Sequence, residues 1–154
     1  MVTGKFTNSA YDPGEPQGAV LNRGEPTRLK GVKLKLEVSQ QFEIVGATGE
    51  RGPWKVHTLA YWYAITRNDG SEVIAYQWHP AADSHAAFPH LHIGSAELDV
   101  EGWLSNKTHI PTARIAIEDV VVLAIELGAT PLQSDWEERI SGTRARFRKY
   151  ASWS

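Results

Sequence analysis

The chain has 154 residues, of which 42% are hydrophobic and 22% charged, with a formal net charge of -2 and no cysteine. This length fits one domain with one core, and the charge gives no global electrostatic reason to bind nucleic acid or an anionic membrane. The lack of cysteine excludes disulfides and thiolate metal ligands, which leaves histidines and carboxylates as the strong metal ligands. No apolar run could span a membrane and the N-terminus lacks the apolar stretch of a signal peptide, so we expect a soluble, cytoplasmic protein.

The first 28 residues contain three prolines and several glycines, with few large apolar side chains. Such a segment cannot offset the entropy lost on ordering unless it lies on another part of the protein. We therefore predict a flexible N-terminal arm at residues 1–28 and a single domain at residues 29–154. Docking of the arm on that domain is the alternative.

Two long strands and a hairpin are predicted in the first half of the domain. Apolar and polar residues alternate from Val32 to Ile44, whereas residues 54–67 are apolar on both faces, which is typical of a central strand. Asn68-Asp69-Gly70 is a hairpin signal. The resulting register pairs Tyr61 with Trp78, Tyr63 with Tyr76, Ile65 with Ile74 and Arg67 with Glu72. It separates an aromatic face, open to the arm or a partner, from a face of mostly small residues on which a helix could pack.

The second half of the domain contains the predicted helices. A strand is expected over residues 88–94, a further strand over 95–104 and a loop over 106–112. The apolar run at 117–127 predicts a buried helix that ends at Gly128, and Thr130-Pro131 is a start signal for a second helix. The fold class is therefore α+β, with an antiparallel sheet of four to five strands followed by two C-terminal helices packed on one face.

Histidines are concentrated in the middle of the chain. His90 and His92 are two residues apart, so in a strand both imidazoles leave one face, and His79 and His109 are expected at neighbouring positions. One hypothesis is metal-free phosphodiester cleavage, with these four histidines as acid and base and with Lys107 and Arg114 on phosphate. A second is a divalent-metal site, such as zinc, built from His90, His92 and Glu97. In the third, the histidines are structural.

A set of short motifs resembles a known family. The motifs are Tyr61-Trp62-Tyr63, Asn68-Asp69-Gly70, Tyr76-x-x-His79-Pro80 and Phe88-Pro89-His90-x-His92-Ile93-Gly94. They resemble the TumE-like toxin components of bacterial toxin–antitoxin modules over residues 60–94. The resemblance implies a small bacterial toxin-like protein and points at His79, His90 and His92.

Three functional hypotheses follow from these observations. The first is a histidine-dependent RNA-cleaving enzyme without a cofactor, acting on RNA and held by an antitoxin-like partner. The second is a protein-binding module that meets a partner, or a second copy in a homo-oligomer, through the aromatic hairpin face. The third is a metal-binding protein that uses histidine and glutamate ligands. None of the three involves a membrane.

Overall fold

The computed structural model describes residues 15–48, 52–80 and 86–150, which form one antiparallel sheet and two helices. The strands are β1 (Gln17–Val20), β2 (Thr27–Arg28), β3 (Leu34–Gly46), β4 (Trp54–Arg67), β5 (Glu72–Trp78), β6 (His90–Ile93) and β7 (Ile110–Pro111). The helices are α1 (Ile117–Glu126) and α2 (Trp136–Tyr150). The sheet order is β1-β3-β4-β5-β6-β7, with β2 also paired to β3. The α+β class with two C-terminal helices is confirmed, but the sheet has more strands than the four to five predicted.

Two of the additional strands come from the segment predicted to be a flexible arm. Gln17 of β1 lies opposite Phe42 of β3, and Thr27 of β2 lies opposite Leu36. The edge of β3 therefore supplies the backbone hydrogen bonds that order residues poor in large apolar side chains. Strand pairing, rather than a flexible arm, is what the structure shows for residues 17–20 and 27–28. Residues 1–14 lie outside the described part of the chain.

The hairpin between β4 and β5 follows the predicted register except at its end. The three aromatic and aliphatic pairs, Tyr61–Trp78, Tyr63–Tyr76 and Ile65–Ile74, are confirmed. The pairing of Arg67 with Glu72 is wrong, because a bulge places Thr66 opposite Glu72. Arg67 instead closes the turn, where its N–H donates to the Ser71 carbonyl at 2.8 Å and its carbonyl accepts from the Gly70 N–H at 3.0 Å.

The core lies on the aromatic face of the sheet, against α1. Its buried members are Leu36, Tyr61, Tyr63, Ile65, Trp78, Val120, Ala124 and Ala129. The prediction that a helix packs on the small-residue face is wrong, since the large rings offer far more apolar area to bury. Their packing against α1 also removes the hairpin's aromatic face as a surface for a partner or a second copy. One polar atom there is satisfied internally, because the Tyr61 hydroxyl accepts from the Ile115 N–H at 3.2 Å.

Three smaller differences concern the second half of the chain. Residues 95–104 form a 3-10 turn at Ser95–Glu97 and an exposed irregular segment, and the short strand β7 lies in the predicted loop. Helix α2 begins at Trp136 and not after Thr130, whose N–H donates to the Lys30 carbonyl at 2.7 Å. Among the residues described, neither helix is long and apolar enough to cross a membrane.

Candidate metal centre

The sheet face opposite the helices carries His90 and His92. In β6 the two residues are separated by Leu91, so their side chains leave the same face, His90 opposite Gln77 and His92 opposite Ala75 of β5. Ala75 in turn lies opposite Ala64 of β4 and is buried. The small-residue face that was predicted to take a helix therefore carries the histidines.

Strand β7 brings a third histidine to this face. The register pairs His90 with Pro111 and Leu91 with Ile110, so the chain direction places His109 beside His92. Pro111 has no backbone N–H, which an edge strand tolerates because one side of its backbone needs no partner in the sheet. Two residues of pairing are sufficient to position the imidazole of His109.

Gly94 holds β6 close to β5 at the end of the histidine strand. Its N–H donates to the Val73 carbonyl at 2.9 Å. A Cβ atom at this position would lie 1.6 Å from the Glu72 carbonyl oxygen, a separation that no side chain allows. The glycine is therefore required for the close approach of β6, the strand that carries His90 and His92, to β5.

The three imidazoles form a compact triangle, called here the histidine triad. The ring centroids are 5.0 Å apart for His90 and His92, 4.7 Å for His90 and His109, and 4.6 Å for His92 and His109. One ring nitrogen from each residue lies within 4.8 Å of the other two. His90 is fully buried, His92 is half-buried and His109 is exposed, so the triad extends from the protein interior to the solvent.

Backbone carbonyls fix the proton positions on two of these rings. Nδ1 of His90 donates to the Phe88 carbonyl at 2.8 Å, and Nδ1 of His92 donates to the Asn106 carbonyl at 3.1 Å. A carbonyl only accepts, so each neutral ring carries its proton on Nδ1 and keeps a lone pair on Nε2. Nε2 of His90 is buried and has no hydrogen-bond partner in the described structure.

The electrostatics of the triad keep its buried member uncharged. Burial lowers the pKa of His90, the hydrogen bond to Phe88 opposes that shift, and the neighbouring His109, His92 and His79 reinforce it. A neutral imidazole with its proton on the opposite nitrogen is the form that binds a metal. The carbonyl partners are also the outer contacts that orient metal-binding histidines in proteins.

The structure brings together only part of the predicted metal site. Glu97 accepts from Arg67, with 2.6 Å between Nη2 and Oε1 and 3.1 Å between Nε and the same oxygen. The carboxylate of Glu97 is thus engaged by a guanidinium and lies outside the triad. His109 takes the third position instead. Sequence reasoning assigned His109 as an acid or base but not as a ligand, because a two-residue strand leaves no periodic pattern to detect.

The other predicted site residues occupy different places in the structure. The ring of His79, which directly follows β5, is 5.8 Å from that of His90 between centroids. The Arg114 guanidinium lies 3.9 Å over the ring of Trp78, a buried core residue, so it stabilises the core by a cation–π contact. Lys107 is exposed in the loop between Asn106 and His109.

Comparisons with known proteins do not assign a function to this site. No protein-family model, curated protein or solved structure matches this chain. The resemblance to TumE-like toxins therefore stays a prediction.

Three nitrogen donors of this kind fit a zinc ion. Catalytic zinc sites use three protein ligands with Zn–N bonds of about 2.0–2.1 Å, which in a tetrahedral arrangement separates the nitrogens by roughly 3.3 Å. The 4.8 Å limit observed for the triad is wider. Zinc binding would therefore require the nitrogens to approach one another, and His109 is the most exposed of the three rings.

Proposed function

We propose that this protein binds one divalent transition-metal ion, preferably zinc, through His90, His92 and His109. One observation carries the proposal: Nε2 of His90 is buried without a partner among the described residues, and the centroids of two further imidazoles lie within 5.0 Å of the centroid of this ring. A buried polar atom without a partner costs about 1–3 kcal/mol, and structural histidines normally avoid that cost by bonding through both nitrogens. A metal ion would satisfy this lone pair together with those of the other two rings.

The ligand set also indicates what such an ion would do. Three protein ligands leave one coordination position of a tetrahedral ion for solvent or substrate, whereas structural zinc sites use four protein ligands. His109 is exposed, so the triad is open to solvent on one side. The proposed activity is therefore metal-assisted hydrolysis, in which the ion activates water near neutral pH.

RNA cleavage without a metal is the second candidate. It is favoured by one observation, the 4.6 Å separation of the His92 and His109 rings, neither of which is buried. Two such imidazoles in opposite protonation states could act as acid and base on a phosphodiester. In that case His92 and His109 are the catalytic residues, and the protein is toxin-like, with an antitoxin-like partner bound elsewhere than on the aromatic face.

Elemental analysis of untagged protein tests the first proposal. We expect one zinc per chain after purification or after loading and gel filtration, and we expect His109→Gln to lose it. Glu97→Gln and His57→Gln are the matched controls, since Glu97 pairs with Arg67 and His57 pairs with Glu43 at 2.7 Å, outside the triad. Retention of zinc by His109→Gln would contradict the proposal.

A chelator distinguishes the two candidates. If the protein cleaves RNA and cleavage survives removal of the metal, the acid–base function replaces the metal-assisted one. If cleavage stops with the chelator and returns with zinc, the metal-assisted function accounts for it.

A further inference from the structure

We propose that His79 is a positioning residue that holds the solvent molecule at the fourth coordination position of the metal, through a hydrogen bond to its Nδ1. This inference rests on the proposed metal site. It adds an outer histidine that the triad itself does not require.

The position of His79 follows from the sheet. Gln77 of β5 lies opposite His90, and His79 is two residues further along the chain. Alternation therefore directs its side chain to the face that carries the triad. The ring planes of His79 and His90 are tilted by 38°, with 5.8 Å between centroids.

Two buried ring nitrogens lack partners at this place. Nδ1 of His79 and Nε2 of His90 are both without a hydrogen bond in the part of the chain that the structure describes. Nε2 of His90 is an acceptor, because the proton of this ring is on Nδ1. The two nitrogens do not bond to each other. With the proton of the His79 ring on Nε2, its Nδ1 is an acceptor too, and a third group that offers a cation to His90 and a proton to His79 would satisfy both. A metal ion with a coordinated water has these two properties.

Distance argues against His79 as a direct ligand. The nitrogens within 4.8 Å of one another belong to His90, His92 and His109, and His79 is not among them. A metal–oxygen bond of roughly 2 Å followed by a hydrogen bond of roughly 2.8 Å reaches a nitrogen too remote for coordination. An acceptor at that distance orients the water and favours loss of its proton, which is the step that makes a nucleophile at a metal centre.

Cobalt-loaded protein provides the test, because the visible spectrum of cobalt reports its ligands and the ionisation of bound water. We expect His79→Ala to bind cobalt with affinity reduced by about 10–100-fold, the range for loss of an outer contact. The pH midpoint of its spectral change should move to higher pH, because the acceptor of the water's proton is gone. His79→Asn places an amide near the former Nδ1, so its pH midpoint should lie between those of His79→Ala and the unsubstituted protein.

Three results would overturn the inference. A midpoint equal to that of the unsubstituted protein in both cobalt-loaded variants would show that His79 does not touch the solvent ligand, while the triad would stand. Loss of cobalt binding in both variants as complete as in His92→Ala would make His79 a direct ligand. Failure of the unsubstituted protein to bind cobalt or zinc would refute the metal site as well. If His79→Ala does not fold, His79→Asn against the unsubstituted protein decides among these results.

Discussion

The two nitrogens of His90 have opposite surroundings, and this asymmetry is the main evidence for the site. Nδ1 bonds to the Phe88 carbonyl two residues earlier, whereas Nε2 has no partner within the described chain. The shared face of His90 and His92 was predictable from their spacing alone. The ion pair of Glu97 with Arg67, which keeps Glu97 out of the site, was not predictable, because it joins residues 30 positions apart across the end of a hairpin.

The buried His90 predicts how the metal-free protein responds to acid. Because burial lowers the pKa of His90 in the folded state, the unfolded chain takes up a proton at about pH 6.5 and the folded chain takes it up only at a lower pH. The stabilising contribution is complete above that pH and is lost as the pH falls below it, by at most about 1.4 kcal/mol per pH unit. Urea unfolding in chelator between pH 7.5 and 5.5 measures this slope. We expect His90→Gln to flatten it, and a slope in His90→Gln equal to that of the unsubstituted protein would refute the assignment.

At the scale of elements, local signals located the strands, and their ends depended on contacts with other segments. The pairing of Ile65 with Ile74 followed from the turn residues. The bulge that pairs Glu72 with Thr66 instead of Arg67 reflects the hydrogen bonds of Arg67 in the turn. Likewise β7 exists only because β6 offers it an edge. The start of α2 moved to Trp136 because the backbone at Thr130 is bound to Lys30.

The contact between β5 and β6 should be highly sensitive to one methyl group. Gly94→Ala places a Cβ against the Glu72 carbonyl, so the strands must separate, at a cost of about 3 kcal/mol or more. Chemical unfolding should show this loss, and zinc affinity should fall because His90 and His92 move with β6. Gly18→Ala in β1, where an added Cβ meets nothing within 4 Å, is the control. Equal stability of the two variants would show that β6 does not lie at the stated distance from β5.

At the scale of the whole molecule, the distribution of ring size over the two sheet faces decides the architecture. The hairpin register separated these faces correctly, but the wrong face was expected to receive the helix. Tyr61 and Tyr63 stack at 4.8 Å beneath α1, while Ala64 and Ala75 leave room on the other face for the triad. Sequence periodicity predicts which residues share a face, but the area that each face buries decides what covers it.

The docked N-terminal segment predicts a dependence of solubility on β1. Deletion of residues 1–24 removes the partner of β3 at Ser39–Phe42 and exposes unpaired backbone, which promotes edge-to-edge association. Light scattering should show concentration-dependent self-association of this variant. Deletion of residues 1–14 retains β1 and serves as the control. A monomeric 1–24 deletion with unchanged stability would indicate that β1 does not protect the sheet edge.

The central claim is a metal ion held by three imidazoles, and X-ray absorption of the untagged, zinc-loaded protein tests it most directly. The predicted spectrum has three imidazole nitrogens at about 2.0–2.1 Å and one further oxygen ligand from solvent. His109→Gln should bind no zinc, so its sample should lack the zinc absorption edge, whereas Glu97→Gln should leave the spectrum unchanged. A first shell with one imidazole or none, or a spectrum altered by Glu97→Gln and not by His109→Gln, would contradict the account.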